Sequence, residues 1–399
     1  MAVGTLVERY RLTPWWARVL LVFAASRIVT TGILLYFAAI QPANAWTDAA
    51  PGYAEYSRIW DGHWYYIISV VGYPSVLPIT DTGHVGESAW AFMPVYPTIA
   101  GVVTRATGLD FGMVASALSV LCALGTALVL YRLIRRFLDE NTALFSVVLF
   151  CVAPLSPILQ VAYAESMGLF FLVIALWLLV ARHYWALLPV VAIMGLTRPS
   201  GLAFAFALAL HIAYRWFKRD DEPFPLREAL AAVVATVVAG LAGLMWLLVA
   251  WGVTGSPTAY TDTELAWRSA YIGHQELVPF TPWWHAAQFW VRFPLGWLIV
   301  AAGALAIIGF AVLLRSRPAR RIGVDVRLWL FSYALYLLAV FFPQSSTFRL
   351  LMPLFPALGI VAQPRHPVYR VALVALCVAG QIAWVQIAWF VDGADWTPP

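Results

Sequence analysis

Positions 58–74 read RIWDGHWYYIISVVGYP and hold one carboxylate, that of Asp61, among aromatic residues. Folded as an α-helix, the stretch places its large apolar residues on one side, at Trp60, Trp64, Ile67, Ile68 and Val71. Asp61 and Tyr65 then stand beside this stripe, and Arg58 lies about one turn earlier. Short amphipathic helices with tryptophans suit the membrane–water boundary. The stretch therefore predicts an interfacial helix with its tryptophans among the headgroups and its acid towards water.

The composition around this stretch is typical of an integral membrane protein. The 399 residues are 62% hydrophobic and 11% charged, whereas about a quarter of the residues in soluble domains are charged. Apolar runs recur along the chain at close to the roughly 20 residues that cross a bilayer. We predict an all-α fold, a polytopic helical membrane protein with about 11 transmembrane helices in a single integral membrane domain, residues 1–399.

Two other compositional features exclude function classes. The formal net charge is +5, but the basic residues are scattered over loops and form no stripe, so no nucleic-acid partner is expected. The three cysteines fall inside apolar runs, at Cys122, Cys151 and Cys377. They predict buried thiols and indicate neither a disulfide framework nor a zinc site.

The first apolar run, residues 18–40, contains Arg27. It is longer than the core of a secretory signal, which has about 7–15 residues, so we expect an uncleaved first span. A charge inside a span is costly unless it faces protein. Arg27 therefore either points into the helix bundle or snorkels to an interface.

The long segment at 41–110 is predicted to be the first extracytoplasmic loop, with two interfacial helices. The second would follow Pro94 and Pro97, which suit a helix start better than a helix middle. The apolar stretch after Pro97 is short for a span, and counting it would move the basic cluster at 132–136 to the outer side. The further predicted spans are 111–131, 143–160, 166–181, 184–197, 201–217, 229–251, 294–314, 328–342, 350–363 and 368–391.

The distribution of basic residues supports this topology. With the N-terminus cytoplasmic, 18 of the 25 Lys and Arg residues fall inside, six fall outside and Arg27 lies within the first span. Cytoplasmic loops carry an excess of Lys and Arg in membrane proteins. We therefore predict an integral membrane protein of a bacterial plasma membrane, with a cytoplasmic N-terminus and short Arg-rich inner loops that serve as positional charge.

The outer side, by contrast, collects polar residues from five loops that a bundle brings to one end. They are Arg58, Asp61, His63, Asp81, Glu87, Tyr163, Glu165, Arg198, Trp267, Arg268, His274, Gln275 and Arg349. This collection indicates a functional site at the extracytoplasmic end.

Four motifs in this region carry a family resemblance. Arg58-Ile59-Trp60-Asp61-Gly62-His63-Trp64 with Gly72-Tyr73 resembles the Arg-Trp-Asp…Gly-Tyr signature of PIG-V-type mannosyltransferases, polyprenyl-phosphate-sugar-dependent enzymes of the GT-C superfamily. Phe92-Met93-Pro94-Val95-Tyr96-Pro97 resembles the aromatic-Pro-x-Tyr-Pro motif of that family. Ala162-Tyr163-Ala164-Glu165-Ser166 and Thr197-Arg198-Pro199-Ser200-Gly201 resemble its Tyr-Thr-Glu-Ser and Arg-x-Asn-Gly motifs.

The resemblance covers residues 20–360 and agrees with the predicted topology, because GT-C enzymes place a long outer loop with interfacial helices after the first span. It implies a GT-C-like membrane mannosyltransferase with a polyprenyl-phosphate-sugar donor and a lipid or glycan acceptor. The chain departs from the family at the inserted Ile59, at Ala164 and at Pro199-Ser200. The glycolipid acceptor of the eukaryotic members is therefore not carried over.

The chemistry of an outer site independently favours a lipid donor, because cytosolic nucleotide sugars do not reach it. Transfer needs a carboxylate that takes the proton of the attacking hydroxyl and cationic groups that stabilise the departing phosphate. Asp61 is the predicted base, with Glu165 as a second catalytic candidate. Candidate substrate-binding residues are Arg58, His63, Tyr163, Arg198, Trp267, His274, Gln275 and Arg349, among which Arg198 and Arg349 would bind phosphate.

Each of these roles has a structural alternative. Asp61 would otherwise cap a helix or pair with Arg58 at the surface, and Glu165 would be an ordinary acid at a helix N-terminus. Arg198 and Arg349 would snorkel to the interface, and Trp267 would anchor there.

No cofactor and no required metal are expected. Asp262-Thr263-Glu264 resembles a metal-binding acid pair only superficially. A donor with a single phosphate, as the resemblance implies, has no diphosphate for a metal to clamp.

Two other function classes remain open from the sequence. A transporter or flippase of lipid-linked sugars would show ionisable groups near mid-membrane and often paired half-repeats, whereas here only Arg27 is deep and no repeat is evident. A non-catalytic membrane scaffold would leave the acid–aromatic helix at Asp61 unexplained.

Overall fold

The computed structural model describes residues 13–291 and 295–392, and all regular secondary structure in these ranges is helical. The α-helices are α1 (Trp15–Ile40), α2 (Tyr53–Tyr56), α3 (Asp61–Val71), α4 (Val95–Thr107), α5 (Phe111–Ile134), α6 (Glu140–Val152), α7 (Glu165–Val180), α8 (Tyr184–Gly195), α9 (Gly201–Phe217), α10 (Leu226–Thr254), α11 (Ala259–Ile272), α12 (Thr281–Val291), α13 (Gly296–Arg315), α14 (Arg317–Arg320), α15 (Val324–Val340), α16 (Thr347–Leu350), α17 (Leu358–Val361) and α18 (Pro367–Trp384). Short 3₁₀ segments lie at Ala89–Ala91, Ser156–Gln160 and Met352–Ala357, and α18 continues into a π-helical turn at Val385–Trp389.

The prediction of an all-α polytopic membrane protein is confirmed. Within the described residues, five helices are long and apolar enough to cross a membrane, namely α1, α5, α10, α13 and α18 with its π-helical turn. Each of the other predicted spans also contains a helix, but these helices are shorter.

Two predicted spans are interrupted, and proline explains both breaks. The helix in the 143–160 region ends at Val152, Pro154 follows it, and Pro157 lies inside the 3₁₀ turn Ser156–Gln160. The 350–363 region is likewise divided, with Pro353 and Pro356 inside its 3₁₀ segment. Proline lacks the N–H that an α-helix needs and clashes with the preceding turn. These breaks bring irregular backbone to the bundle end that carries Glu165 and Arg349.

The first interfacial helix differs from its prediction. Helix α3 begins at Asp61, so Arg58 and Trp60 lie outside it, and the predicted stripe from Trp60 to Val71 is wrong. Trp60 has φ 57°, a left-handed conformation that non-glycine residues rarely adopt. Residues before Asp61 therefore do not continue the helical spacing of α3. The buried residues of α3 are Gly62, Tyr65 and Ile68, whereas Val71 is 73% exposed. The helix therefore turns Tyr65 into the protein.

The second helix of this loop, α4, begins after Pro94 as predicted and covers 13 residues. It packs against α3 and α5. The placement of α3 and α4 at a membrane surface, and with it the loop assignment of 41–110, stays a prediction.

Arg27 points into the bundle, which decides between the two readings of its position. Its guanidinium donates to the carbonyl oxygens of Cys151 (2.6 Å) and Ser156 (3.0 Å) and to Oε1 of Gln160 (3.0 Å). Cys151 lies in the last turn of α6, where unpaired carbonyls carry a partial negative charge. Arg27 thus stabilises the end of a helix that stops inside the bundle.

Thiol labelling in intact cells tests the predicted orientation. A cysteine at Thr82, exposed in the first loop, should react with an impermeant maleimide from outside. A cysteine at Arg320, exposed on α14, should react only after the cells are permeabilised. Arg320 is a better inner probe than the neighbouring Ala319, which is fully buried. Labelling of the Arg320 position in intact cells would reverse the topology and remove the reason for a lipid donor.

Candidate active site

Four charged side chains from distant segments form one alternating array. The Arg349 guanidinium pairs with Oδ2 of Asp61 and lies 3.5 Å from Oε1 of Glu165. Nη2 of Arg198 lies 3.2 Å from the same oxygen of Glu165. The order Asp61, Arg349, Glu165, Arg198 places each carboxylate beside a guanidinium. The array is electrically neutral and holds two cations close enough together to share one anionic ligand.

Asp61 owes its position to the start of α3. Its backbone N–H donates to the Tyr163 hydroxyl at 3.1 Å, and Gly62 packs against the backbone of Ala162. A Cβ on Gly62 would lie 3.2 Å from the Ala162 oxygen, so the close approach of the two loops favours glycine. The preceding Trp60 is anchored by its indole N–H, which donates to the Ala388 carbonyl at 3.1 Å. This anchor holds the left-handed backbone at Trp60, a conformation that costs about 1–3 kcal/mol.

Glu165 is the first residue of α7 and is only 5% exposed. An acid in this position gains from the positive end of the helix dipole. Both of its carboxylate oxygens are buried and lack a well-directed hydrogen bond within the described residues, although two guanidinium groups lie close. Ion pairing without aligned hydrogen bonds leaves the carboxylate able to accept a donor from a ligand.

The two arginines are held by the ends of neighbouring helices. Arg349 lies on α16, where the Tyr333 hydroxyl donates to the Leu350 carbonyl at 2.9 Å, and its guanidinium lies 5.5 Å from the centre of the Tyr163 ring. Arg198 follows α8, and its Cγ would lie 2.9 Å from a Cβ placed on Gly168. Glycine at 168 therefore gives Arg198 the room it uses to reach Glu165.

The carboxylates of the array have the largest influence on the charge state of both arginines. Burial alone would lower the pKa of Arg349, but Asp61 and Glu165 outweigh it and raise that pKa. Burial alone would also lower the pKa of Arg198, but Glu165 outweighs this effect and raises that pKa. Both guanidinium groups thus stay charged while largely shielded from water, where a charge interacts most strongly with a ligand.

Aromatic side chains line the array on the side of α3. Burial raises the pKa of the Tyr65 hydroxyl, and all four charged groups of the array act on it, which places Tyr65 next to them. Trp64 stacks on Phe92 with ring centres 5.6 Å apart and meets Trp267 edge-on at 5.8 Å. The indole nitrogen of Trp267 is buried without a hydrogen-bond partner within the described residues. Flat apolar faces beside an unpaired N–H are typical of sugar-binding sites, where a ring stacks and a hydroxyl accepts.

Helix α11 adds a carboxyl group that the sequence interpretation set aside. Burial raises the pKa of Glu264, while Arg268, Arg198 and the Tyr260 hydroxyl act in the opposite direction. Asp61 also acts on Glu264, so this side chain lies near the array. The sequence signal for it was the spacing of Tyr260, Glu264, Trp267 and Arg268 on one helix face.

Four of the predicted site residues lie away from the array. Arg58 stacks over the Tyr66 ring at 4.8 Å, with its guanidinium 4.0 Å from Asp110. The exposed His63 meets Trp46 edge-on at 5.5 Å, and His274 stacks on His84 at 3.7 Å. The Gln275 side chain donates to the Ile272 carbonyl at 3.2 Å. The structure does bring together Asp61, Tyr163, Glu165, Arg198, Trp267 and Arg349, whose roles stay predictions.

Across residues 13–291 and 295–392, no group of three His, Cys, Asp or Glu side chains is arranged to hold a metal ion. The two carboxylates of the array, Asp61 and Glu165, are separated by the guanidinium of Arg349.

No family model matches the chain, and no curated protein matches it. Solved structures of the oligosaccharyltransferase of Archaeoglobus fulgidus are among its structural neighbours. The apo form is 15% identical in sequence to this chain and has a TM-score of 0.38. The match covers 94% of this chain and 56% of the oligosaccharyltransferase chain. The complex of that enzyme, AglB, with an inhibitory peptide and a dolichol-phosphate is 14% identical over the same shares, with a TM-score of 0.37. The chain thus spans about half the length of these neighbours, and a likeness this weak carries no argument about its activity.

Proposed function

We propose that the chain is a membrane glycosyltransferase of the GT-C type, transferring mannose from a polyprenyl-phosphate-mannose donor to a lipid-linked or other extracytoplasmic acceptor. The observation that supports this most is the array of Asp61, Arg349, Glu165 and Arg198. It combines a carboxylate suited to proton transfer with two guanidinium groups suited to a phosphate. Mannose as the sugar follows from the family resemblance alone.

The direction of the helices places the array at one end of the bundle. Glu165 opens α7, Arg198 follows α8, and Arg349 lies in the connection after α15. By the charge bias of the sequence this is the outer end, where a nucleotide sugar is absent and the donor arrives as a lipid. A transporter would instead place its charged groups near the middle of the spans.

Transfer at this site uses Asp61 as the general base. The acceptor hydroxyl attacks the anomeric carbon, its proton passes to the Asp61 carboxylate, and the bond between that carbon and the phosphate oxygen breaks. The bonding electrons remain on the departing lipid phosphate, whose growing negative charge Arg349 and Arg198 stabilise. No covalent enzyme intermediate is needed.

The ion pair between Arg349 and Asp61 gives this reaction an order of events. Without substrate, the Arg349 guanidinium forms an ion pair with the Asp61 carboxylate, which must accept the proton during transfer. The donor phosphodiester carries one negative charge shared by two oxygens, and it competes for the same planar guanidinium, which can bind both oxygens. Binding of the donor draws Arg349 towards the phosphate and frees Asp61 for the acceptor. The base is thus released only when the leaving group is in place.

The aromatic side chains on α3 and α11 would bind the sugar. Trp64 and Trp267 offer ring faces to a sugar, and the buried indole N–H of Trp267 offers a hydrogen bond. Glu264 would accept a hydrogen bond from a sugar hydroxyl or donate one to it. Glu165 would orient the acceptor and hold the two arginines in register.

Donor choice and metal dependence test this proposal. Purified protein should transfer mannose from polyprenyl-phosphate mannose, should not use a soluble nucleotide-mannose, and should keep its activity in EDTA, because two guanidinium groups can neutralise a single phosphate. Transfer from the nucleotide sugar, or a loss in EDTA that magnesium or manganese restores, would contradict it.

A further inference from the structure

Four helices meet in a network of polar side chains at the end of the bundle opposite the array. Tyr184 opens α8, Glu228 and Asp325 lie in the first turns of α10 and α15, and His211 lies near the C-terminal end of α9. Arg198 follows the far end of α8, so Tyr184 and the array are a helix length apart. Among the histidines of the described residues, only His211 is buried. Transfer at the array uses none of these four groups.

Three hydrogen-bond contacts join the four side chains in a row. Nδ1 of His211 lies 2.6 Å from Oδ1 of Asp325, and its Nε2 lies 2.8 Å from the Tyr184 hydroxyl. The Tyr184 hydroxyl in turn donates to Oε1 of Glu228 at 3.2 Å. A hydrogen bond needs one hydrogen between its two heavy atoms, so the row needs three hydrogens.

The side chains in their ordinary charge states supply one hydrogen too few. A tyrosine hydroxyl carries one hydrogen, a neutral imidazole carries one, and ionised carboxylates carry none. Because Tyr184 donates its hydrogen to Glu228, the contact between Tyr184 and His211 takes its hydrogen from Nε2. The contact with Asp325 then needs a further hydrogen, which belongs on Nδ1 because imidazole is a stronger base than a carboxylate. The geometry thus requires one extra proton.

The balance of buried charge leads to the same proton. Arg215 is 2% exposed, and its Nη2 lies 3.3 Å from Oε1 of Glu228. Glu222 lies 4.0 Å from Arg215, but it is half exposed and pairs with Arg182 at 2.7 Å. The buried part of the network therefore holds one guanidinium, that of Arg215, against the carboxylates of Glu228 and Asp325. An unpaired buried charge is costly, and one bound proton cancels it.

We propose that His211 and Asp325 bind this extra proton as an imidazolium–carboxylate pair, which holds α15 against α8, α9 and α10. Loss of the proton would leave one carboxylate uncompensated and one of the three contacts without a hydrogen. Helix α15 runs from this pair to the end of the bundle that carries Arg349. The proton is thus a structural ligand of the bundle, and its binding does not depend on the catalytic role of Asp61.

NMR of purified protein with isotope-labelled histidine detects the proton directly. At neutral pH we expect one histidine signal in which both ring nitrogens carry a hydrogen. His211→Gln should remove this signal, and Tyr184→Phe, which removes the partner of Nε2, should shift it. His183→Gln is the matched control, because His183 is exposed next to the start of α8, and it should leave the signal unchanged. A His211 signal with one unprotonated ring nitrogen would overturn the proposal.

Thermal unfolding of charge variants tests the balance of charge. His211→Gln leaves two carboxylates facing one guanidinium, so the unfolding midpoint should fall by at least about 5 °C. Asp325→Asn added to this variant restores neutrality and should recover at least about half of the loss. Asp325→Asn alone should lower the midpoint, because the charged pair is lost. Asp221→Asn, at an exposed acid of the same bundle end, should change it by less than about 1 °C.

Two outcomes of the unfolding experiment would contradict the bound proton. If His211 were neutral, Asp325 would be an uncompensated buried charge, and Asp325→Asn would raise the midpoint instead of lowering it. A double variant no more stable than His211→Gln would also count against the proposal. Should His211→Gln not fold, Tyr184→Phe assigns the NMR signal and Asp325→Asn alone gives the unfolding result. Neither experiment measures transfer, so each stands or falls separately from the glycosyltransferase activity.

Discussion

Asp61→Asn should lower turnover by at least about 100-fold, because general-base catalysis commonly contributes about 100- to 10,000-fold. Asparagine is nearly isosteric and keeps an oxygen that Arg349 can approach, but it cannot take the proton of the acceptor hydroxyl. Affinity for the donor should change little, since Asp61 meets the acceptor and the arginines meet the phosphate. Asp61→Glu should recover little activity, because an added methylene moves the carboxylate by about 1 Å, enough to matter at a reacting centre.

Asp110→Asn is the matched control for this substitution. Asp110 belongs to the same loop, caps α5 through its Oδ1 and lies near Arg58 outside the array. Asparagine caps helices about as well as aspartate, so this variant should keep near-normal turnover. Turnover is measured per correctly folded molecule, because a purely structural role for Asp61 predicts lower stability with normal specific activity. Retention of more than about a tenth of wild-type turnover would exclude a general base of typical size and direct attention to Glu165 and Glu264.

Arg349→Ala should lower turnover by about 100- to 1,000-fold, the usual effect of removing one donor to a developing anion. Arg349→Lys should fall between wild type and Ala, because lysine keeps the charge and loses the planar fork. Arg198→Ala should show a smaller loss, since Arg198 contacts only Glu165 among the array carboxylates. Arg58→Ala, an arginine of the first loop outside the array, should change turnover by less than about threefold.

The stability of the arginine variants separates catalysis from folding. Removing Arg349 leaves Asp61 and Glu165 without their shared cation, and breaking a buried ion pair by removing one partner costs about 3–5 kcal/mol. Asp61 is 19% exposed, so solvent screening reduces this cost below that range. The thermal unfolding of each variant is therefore measured together with its turnover. If folded Arg349→Ala and Arg198→Ala variants both kept near-full turnover, phosphate stabilisation would pass to Arg268.

The sequence predicted the members of the array better than their arrangement. Asp61, Glu165, Arg198 and Arg349 could be named from the sequence because alternating spans return the chain to the same side. Their pairing could not be predicted, because it depends on side-chain reach across four loops. Arg349 in particular lies between the two acids, which neither periodicity nor charge bias reveals.

The residues that the sequence misplaced share a physical cause. The left-handed backbone at Trp60 starts a new helix at Asp61, so Arg58 does not follow the helical spacing and pairs with Asp110 instead. In the sequence Glu264 belongs only to a superficial acid pair, yet the fold brings it close enough to Arg198 and Asp61 for their charges to act on it. Arg27 was predicted as buried or snorkelling, and only the early end of α6 shows why the bundle holds it.

The most direct test of a lipid-dependent transferase is a transfer assay on two proteins. Purified wild type and Asp61→Asn, each shown to be folded, are incubated with radiolabelled polyprenyl-phosphate mannose and a membrane lipid extract, and labelled products are separated from the donor. The account predicts a labelled glycolipid or glycan with wild type and at least about 100-fold less with the variant. Equal labelling by the two proteins, or labelling only from a nucleotide sugar, would contradict it.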